Sequence, residues 1–326
     1  MNSRPSGVDQ PMDEMRVLTS PSISVLMPAR DAGETIGYAV NDLLRGMAQD
    51  DEILVVDDGS LDRTPDVLRA IASSDHRLRI VTTSGVGLVD ALNLGLAEVR
   101  HDWVARADAD DRYPPGRLSL QRAAITTDVV LVSGDYRATA GARDLGVIPT
   151  ALSEPFVKLS LVNPQRIPHP GVLVHRQAVL AAGGYRQEDF PAEDLGLWSR
   201  LRSEGSFVGV PGLVVEWHMR RGSITHSRQR EQREATRRIV KGVRISMGGV
   251  NVEDMAAELS RYDNDPLGVT RAMLLARDLR STGRLDLLSP TSVELARFLG
   301  KHPLDVPLSV GRLIRDRRAR DRMRSA

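Results

Sequence analysis

The chain predicts an α/β fold, a mainly parallel central sheet flanked by helices, with a helical C-terminal extension. Three observations carry that prediction. Short β-branched runs alternate with segments of helical period through the first third of the chain, the pattern of repeated βαβ units. The runs end in loops rich in Gly, Pro or Asp. Hydrophobic residues make up 41% of the 326 residues beside 27% charged ones, a balance that buries a substantial core.

Taken in order, "ISVLMPAR" from Ile23 is a buried-strand run stopped at Pro28. "GETIGYAVNDLLRGM" then sets Ile36, Val40, Leu43, Leu44 and Met47 at helical spacing. "DEILVVDDGS" is a second strand ending in acid and glycine, and "TPDVLRAIASS" opens a second helix with Thr64 and Pro65. "LRIVTTSG" and "GLVDALNLGLAEV" read as the third strand and helix, and "DWVARADADD" as a fourth strand with an acidic end. "VVLVSGDYRAT" adds one strand or two. From Pro149 to Val215 the pattern loosens into a helix, "EPFVKLSLV", Pro- and Gly-rich loops, the helical run "EDLGLWSRL" and a last strand, "GLVVEWHMR". Charged helices follow Ser227, ending in the arginine-dense "GRLIRDRRARDRMRSA". The expected division is a disordered leader over 1–21, one domain over 22–225, and a helical region with a basic tail over 226–326.

Lys plus Arg (44) nearly equals Asp plus Glu (43), so no global field draws the molecule to nucleic acid. There is no cysteine, which removes disulfides and thiolate metal sites and fits a reducing cytosol. No segment reaches the ~20 apolar residues that span a bilayer. The expected location is therefore cytoplasmic. The basic tail offers a peripheral contact with the inner face of a membrane.

Parallel sheets bind ligands beyond the carboxyl ends of their strands. Pro28-Ala29-Arg30, Asp57-Asp58-Gly59-Ser60 and Asp108-Ala109-Asp110-Asp111 all fall there. Asp-x-Asp at a strand end suits a hard divalent cation, Mg²⁺ or Mn²⁺, especially when a diphosphate completes the oxygen shell. Taken alone, such a packet is more often a capping or solvated turn, because Asp is a common turn residue. Glu193 and Asp194 open a helical run, where the dipole favours acid and keeps a carboxylate ionised, as a base requires.

The motifs "SVLMPAR", "EILVVDDGSLDRT", "GLVDALNLGL", "WVARADADDRYPPGRLSLQ", "HPGVLVHRQAVLAAGGYR" and "AEDLGLWSRL", in that order, resemble the family 2 glycosyltransferases of GT-A fold, over Ser22 to Thr225. The resemblance implies a nucleotide site at Pro28, Ala29, Arg30, Asp57, Asp58, Arg106 and Asp108. It implies a metal at Asp110 and Asp108, a donor-sugar contact at Asp111 and Glu193, and Asp194 as the catalytic base. His218, Arg220 and Arg221 are implied for the diphosphate, although His218 beside Trp217 also reads as a packed histidine. His169 lies where the family's acceptor loop runs. The chain departs from the pattern at Arg30, where an Asn or Tyr is usual, and at Gly196, where an acid or aromatic residue is usual. The Gln-x-x-Arg-Trp signature of processive synthases is missing.

The expectation is an inverting, non-processive transfer of one sugar from a nucleoside-diphosphate sugar, UDP-sugar first, to a glycan, lipid-linked or small-molecule hydroxyl. A sugar-phosphate nucleotidyltransferase is the rival enzyme, but "MPARDAGETI" has one Gly and no Lys where a phosphate loop belongs. A non-catalytic member acting as a binding protein is the third reading, and Asp108, Asp110 and Asp194 weigh against it.

Overall fold

A computed structural model of the protein describes residues 20–141, 143–148, 167–219 and 228–246. Its centre is one mixed eight-stranded sheet. The first half follows the predicted alternation: β1 (Ile23–Ala29), α1 (Ile36–Gly46), β2 (Glu52–Asp57), α2 (Thr64–Ala72), β3 (Leu78–Thr82), α3 (Leu88–Glu98) and β4 (Trp103–Arg106). These strands run parallel in the spatial order β3-β2-β1-β4. β1, β2 and β4 are buried along their whole length, which is why they read as continuous apolar runs.

Alternation of side chains divides the core into two layers. Leu26, Leu54, Val56 and Val104 pack with Val89, Leu92 and Leu96 of α3. Val25, Met27, Ile53 and Val55 pack on the other face with Ile36, Val40 and Leu43 of α1 and Leu68 of α2. Register brings Ala29 opposite Asp57 and Leu26 opposite Arg106. The carboxyl ends of three strands therefore form one rim.

Beyond β4 the sheet turns antiparallel. After α4 (Arg117–Arg122) come β5 (Val129–Ala140), β6 (Arg143–Ile148), β7 (Leu173–His175), α5 (Arg176–Ala181), α6 (Glu193–Leu201), β8 (Ser206–Met219) and α7 (Gln229–Ser246). β7 joins β4 to β5, antiparallel to both, and β6 is antiparallel to β5. β8 is parallel to β5 along nearly all of its length. "VVLVSGDYRAT" is thus one long strand. The last strand begins at Ser206, ahead of "GLVVEWHMR", and β7, α4 and α5 are elements the sequence reading did not separate. All of the leader but residues 20–21, the helix "EPFVKLSLV", the helices after Ser246 and the arginine tail lie outside the described residues.

Candidate active site

The rim begins at the ends of β1 and β2, where two loops are laced together. Asp31 adopts φ 49°; its N–H donates to Ser60 Oγ at 2.9 Å, and its Oδ1 accepts the Leu61 N–H at 2.8 Å. Asp57 is buried at the end of β2, with Oδ1 taking the Ser60 N–H at 3.1 Å. Asp58 faces the loop between β3 and α3. Its carboxylate accepts from Thr83 Oγ1, from Val86 N–H at 2.7 Å and from Gly87 N–H at 2.9 Å. Burial would raise its pKa, but these donors, with Arg30 Nη1 at 3.8 Å, outweigh burial and hold it below the ordinary aspartate value. Asp57 thus closes its own turn onto Ser60, whereas Asp58 anchors the loop between β3 and α3.

The centre of the rim follows β4. Arg106 is buried, its guanidinium paired with Asp108 Oδ1. Asp108, Asp110 and Asp111 each offer an oxygen within 4.8 Å of the others. Asp111 is almost wholly enclosed. Its Oδ1 accepts the His218 N–H at 2.9 Å, while Oδ2 has no hydrogen-bond partner. Burial first, then the charge of Asp108, pushes the Asp111 carboxyl well above the usual range. A buried, unpartnered carboxylate oxygen beside two more carboxylates is the donor set of a hard divalent cation. The residues fit Mg²⁺ or Mn²⁺.

Within electrostatic reach of this packet lies the N-terminus of α6. Glu193 is buried and Asp194 half-buried, with Asp194 Oδ1 accepting the Leu195 N–H at 2.7 Å. Burial, then the neighbouring Asp194, pushes the Glu193 carboxyl up to about 7. Burial likewise raises Asp194 above the ordinary aspartate value, against the opposing pull of the Leu195 N–H and Arg106. The helix dipole was expected to keep this pair ionised; enclosure outweighs it. Both carboxyl groups feel Arg106 and Asp108, so the two acidic packets share one buried cation.

His169 completes this side. Its Nε2 is 2.9 Å from Tyr185 Oη, and its ring meets Trp198 edge-on at 5.9 Å. Burial, then Arg106, holds it well below the usual histidine value, so it is a neutral ring at pH 7. His218 meets the site through its backbone, while its Nδ1 lies 3.0 Å from the Glu216 carbonyl oxygen. Arg220 and Arg221 lie outside the described residues.

Tyr113, Arg117 and Tyr185 surround the site without having been singled out in the sequence. The only signal for the first two was their place within "DDRYPPGRLSLQ", just beyond the Asp-x-Asp.

Comparison with known proteins fits this geometry. The profile of glycosyl transferase family 2 matches residues 24–167. An uncharacterized glycosyltransferase of Haemophilus influenzae is 30% identical over 205 residues, spanning 59% of this chain and 73% of the relative. The chain belongs to glycosyl transferase family 2. This family 2 glycosyltransferase is also similar to the UDP-Gal:alpha-D-GlcNAc-diphosphoundecaprenol beta-1,3-galactosyltransferase of Escherichia coli, 28% identical over 196 residues, 57% of this chain and 70% of that one. Its architecture is the GT-A fold. It resembles a mannosyltransferase from Pyrobaculum calidifontis in complex with GDP-Man and Mn²⁺, at a TM-score of 0.55 and 18% identity over 91% of this chain and 86% of the other.

Proposed function

We propose that this glycosyltransferase moves one hexose from a nucleoside-diphosphate sugar, UDP-hexose first among donors, to an acceptor hydroxyl with inversion at the anomeric carbon. The observation that carries the reading is that one buried guanidinium, Arg106, pairs with Asp108 of the Asp108–Asp110–Asp111 cluster and also acts on Glu193 and Asp194. Asp108 and Asp110 would hold a divalent cation, which when bound offsets the charge that develops on the leaving diphosphate. Asp57, at the carboxyl end of β2, is placed for the nucleoside. Asp194 takes the acceptor hydroxyl's proton as that oxygen bonds to the anomeric carbon and the bond to diphosphate breaks. Its raised pKa makes it a stronger base than an exposed aspartate.

A single base with no enzyme nucleophile implies one in-line displacement, in which entering and leaving oxygens occupy opposite faces. The E. coli relative acts from UDP-Gal on a diphosphoundecaprenol-linked acceptor, and the P. calidifontis structure holds Mn²⁺. The first supports a UDP-sugar and a lipid-linked glycan, the second Mn²⁺ with GDP-Man as a competing donor class, and these set the combinations to try.

The test is sugar transfer from a panel of UDP- and GDP-hexoses with Mn²⁺, followed by anomeric analysis of the product. Asp194→Asn is expected to lower kcat by roughly 10²–10⁴-fold with donor KM little changed. Chelation of the metal is expected to abolish transfer and Mn²⁺ to restore it. Full activity of Asp194→Asn, or retention at the anomeric carbon, overturns the reading.

A further inference from the structure

We propose that Tyr113 is a positioning residue whose hydroxyl sets where the Asp108 carboxylate stands, with Arg117 holding that hydroxyl in place. The inference rests on the metal reading given above. The Asp108 N–H donates to Tyr113 Oη at 2.6 Å, and Tyr113 Oη donates to the Asp108 carbonyl at 2.9 Å. One phenol therefore closes both main-chain polar groups of a residue whose side chain belongs to the acidic packet. Without that hydroxyl the Asp108 N–H and C=O would lose their partner, and the loop would turn to find another.

The phenol is itself held from below. The Arg117 guanidinium lies 5.0 Å from the centre of the Tyr113 ring. Its Nη2 donates to the Arg106 carbonyl at 2.6 Å and to the Val172 carbonyl at 3.2 Å, and its Nε to Gln121 Oε1 at 3.1 Å. Gln121 Nε2 in turn donates to the Gly171 carbonyl at 2.9 Å and the Val132 carbonyl at 3.2 Å. Arg117 and Gln121 are almost fully buried, and Arg117 grips neutral oxygens. Enclosing a guanidinium in this way costs more than enclosing an apolar side chain of similar volume. Stability alone gives little reason for Arg here. Fixing the end of β4 to the His169–Gly171 turn does, because that link sets the Asp108 and His169 sides of the site in one frame.

Tyr113→Phe removes the hydroxyl and keeps the ring against Arg117. With the full chain and UDP present, Mn²⁺ binding is read from the electron paramagnetic resonance signal of the free ion. The variant is expected to bind Mn²⁺ about tenfold more weakly, the equivalent of one lost hydrogen bond. In transfer assays the Mn²⁺ concentration for half-maximal rate should move by the same factor, more than kcat falls. Arg117→Lys, which keeps a cation but gives up the double grip, should shift Mn²⁺ binding the same way by less. Wild-type-like Mn²⁺ binding by Tyr113→Phe with only a lower unfolding temperature overturns the proposal, leaving Tyr113 as packing. Wild-type protein that binds no Mn²⁺ beside UDP overturns the metal reading and this proposal with it.

Discussion

Arg106 and Asp108 form an ion pair at the end of β4 in which the guanidinium is buried and the carboxylate is 32% exposed. The same guanidinium acts on Asp111, Glu193 and Asp194, so one cation balances carboxylates drawn from two distant stretches of sequence. Replacing it leaves them to repel one another. Arg106→Gln is expected to destabilise the fold by somewhat less than the roughly 3–5 kcal/mol of a fully enclosed pair, because water screens Asp108. Urea unfolding measures the loss. Unchanged stability would mean that the acidic packets do not depend on Arg106.

The Glu193–Asp194 pair gives a pH dependence of definite sign. Glu193 moves from 4.5 in the unfolded chain to about 7 in the folded one, so the folded state holds the proton more tightly. Its contribution to stability is fully present below pH 4.5 and is lost as the pH rises through about 7. Glu193→Gln should therefore flatten the stability curve over that window and make the protein more stable than wild type at pH 8. Transfer runs the other way. Its rate should climb with pH as the pair, titrating together, gives up its proton. A wild-type stability curve with no fall between pH 4.5 and 7 would contradict the assignment.

If Asp57 takes the nucleoside as proposed, it and Asp58 can be told apart by stability. Asp58 holds Thr83, Val86 and Gly87, and Asp58→Ala should cost about 1–2 kcal/mol by taking a charged acceptor from three partly buried donors. Because the folded pKa of Asp58 is depressed, that stabilisation is present above pH 3.8 and fades as the pH falls through the lowered value. Asp57→Asn should instead raise donor KM with a smaller change in unfolding temperature. The pair of thermal melts and donor titrations checks both; a reversed pattern would exchange the two roles.

The first four strands and their helices were legible because each strand is buried on both faces and so appears as an uninterrupted β-branched run. The acidic packets were legible because the ends of parallel strands are where such loops converge. β7 and α4 were not, being three and six residues long, too short to show a period. Arg117 meant nothing in sequence because its partner at Val172 is 55 residues away. The ionisation of Glu193 was missed for a related reason. The dipole of α6 can be read from its first turn, but the enclosure that overrides it appears only once the chain is folded.

Gly196, one of the two departures from the family pattern, has its reason in three dimensions. It sits two residues after Asp194 on α6, and a Cβ there would fall inside the Asp189 carboxylate. Asp189 Oδ2 is 2.6 Å from Arg200 Nη1, and Arg200 reaches on to the Ala182 carbonyl at 3.0 Å and the Gly184 carbonyl at 2.8 Å. The space beside this position is filled by Asp189 leaning in from the preceding turn. Gly196→Ala should therefore push Asp189 away from Arg200 and cost about 1–3 kcal/mol through overpacking, beyond any gain in helix propensity. It should also lower kcat, since α6 carries Asp194. Asp189→Ala in the same chain clears the space, so the double variant should be more stable than additive single losses require. Strict additivity in urea unfolding would show that Gly196 and Asp189 do not meet.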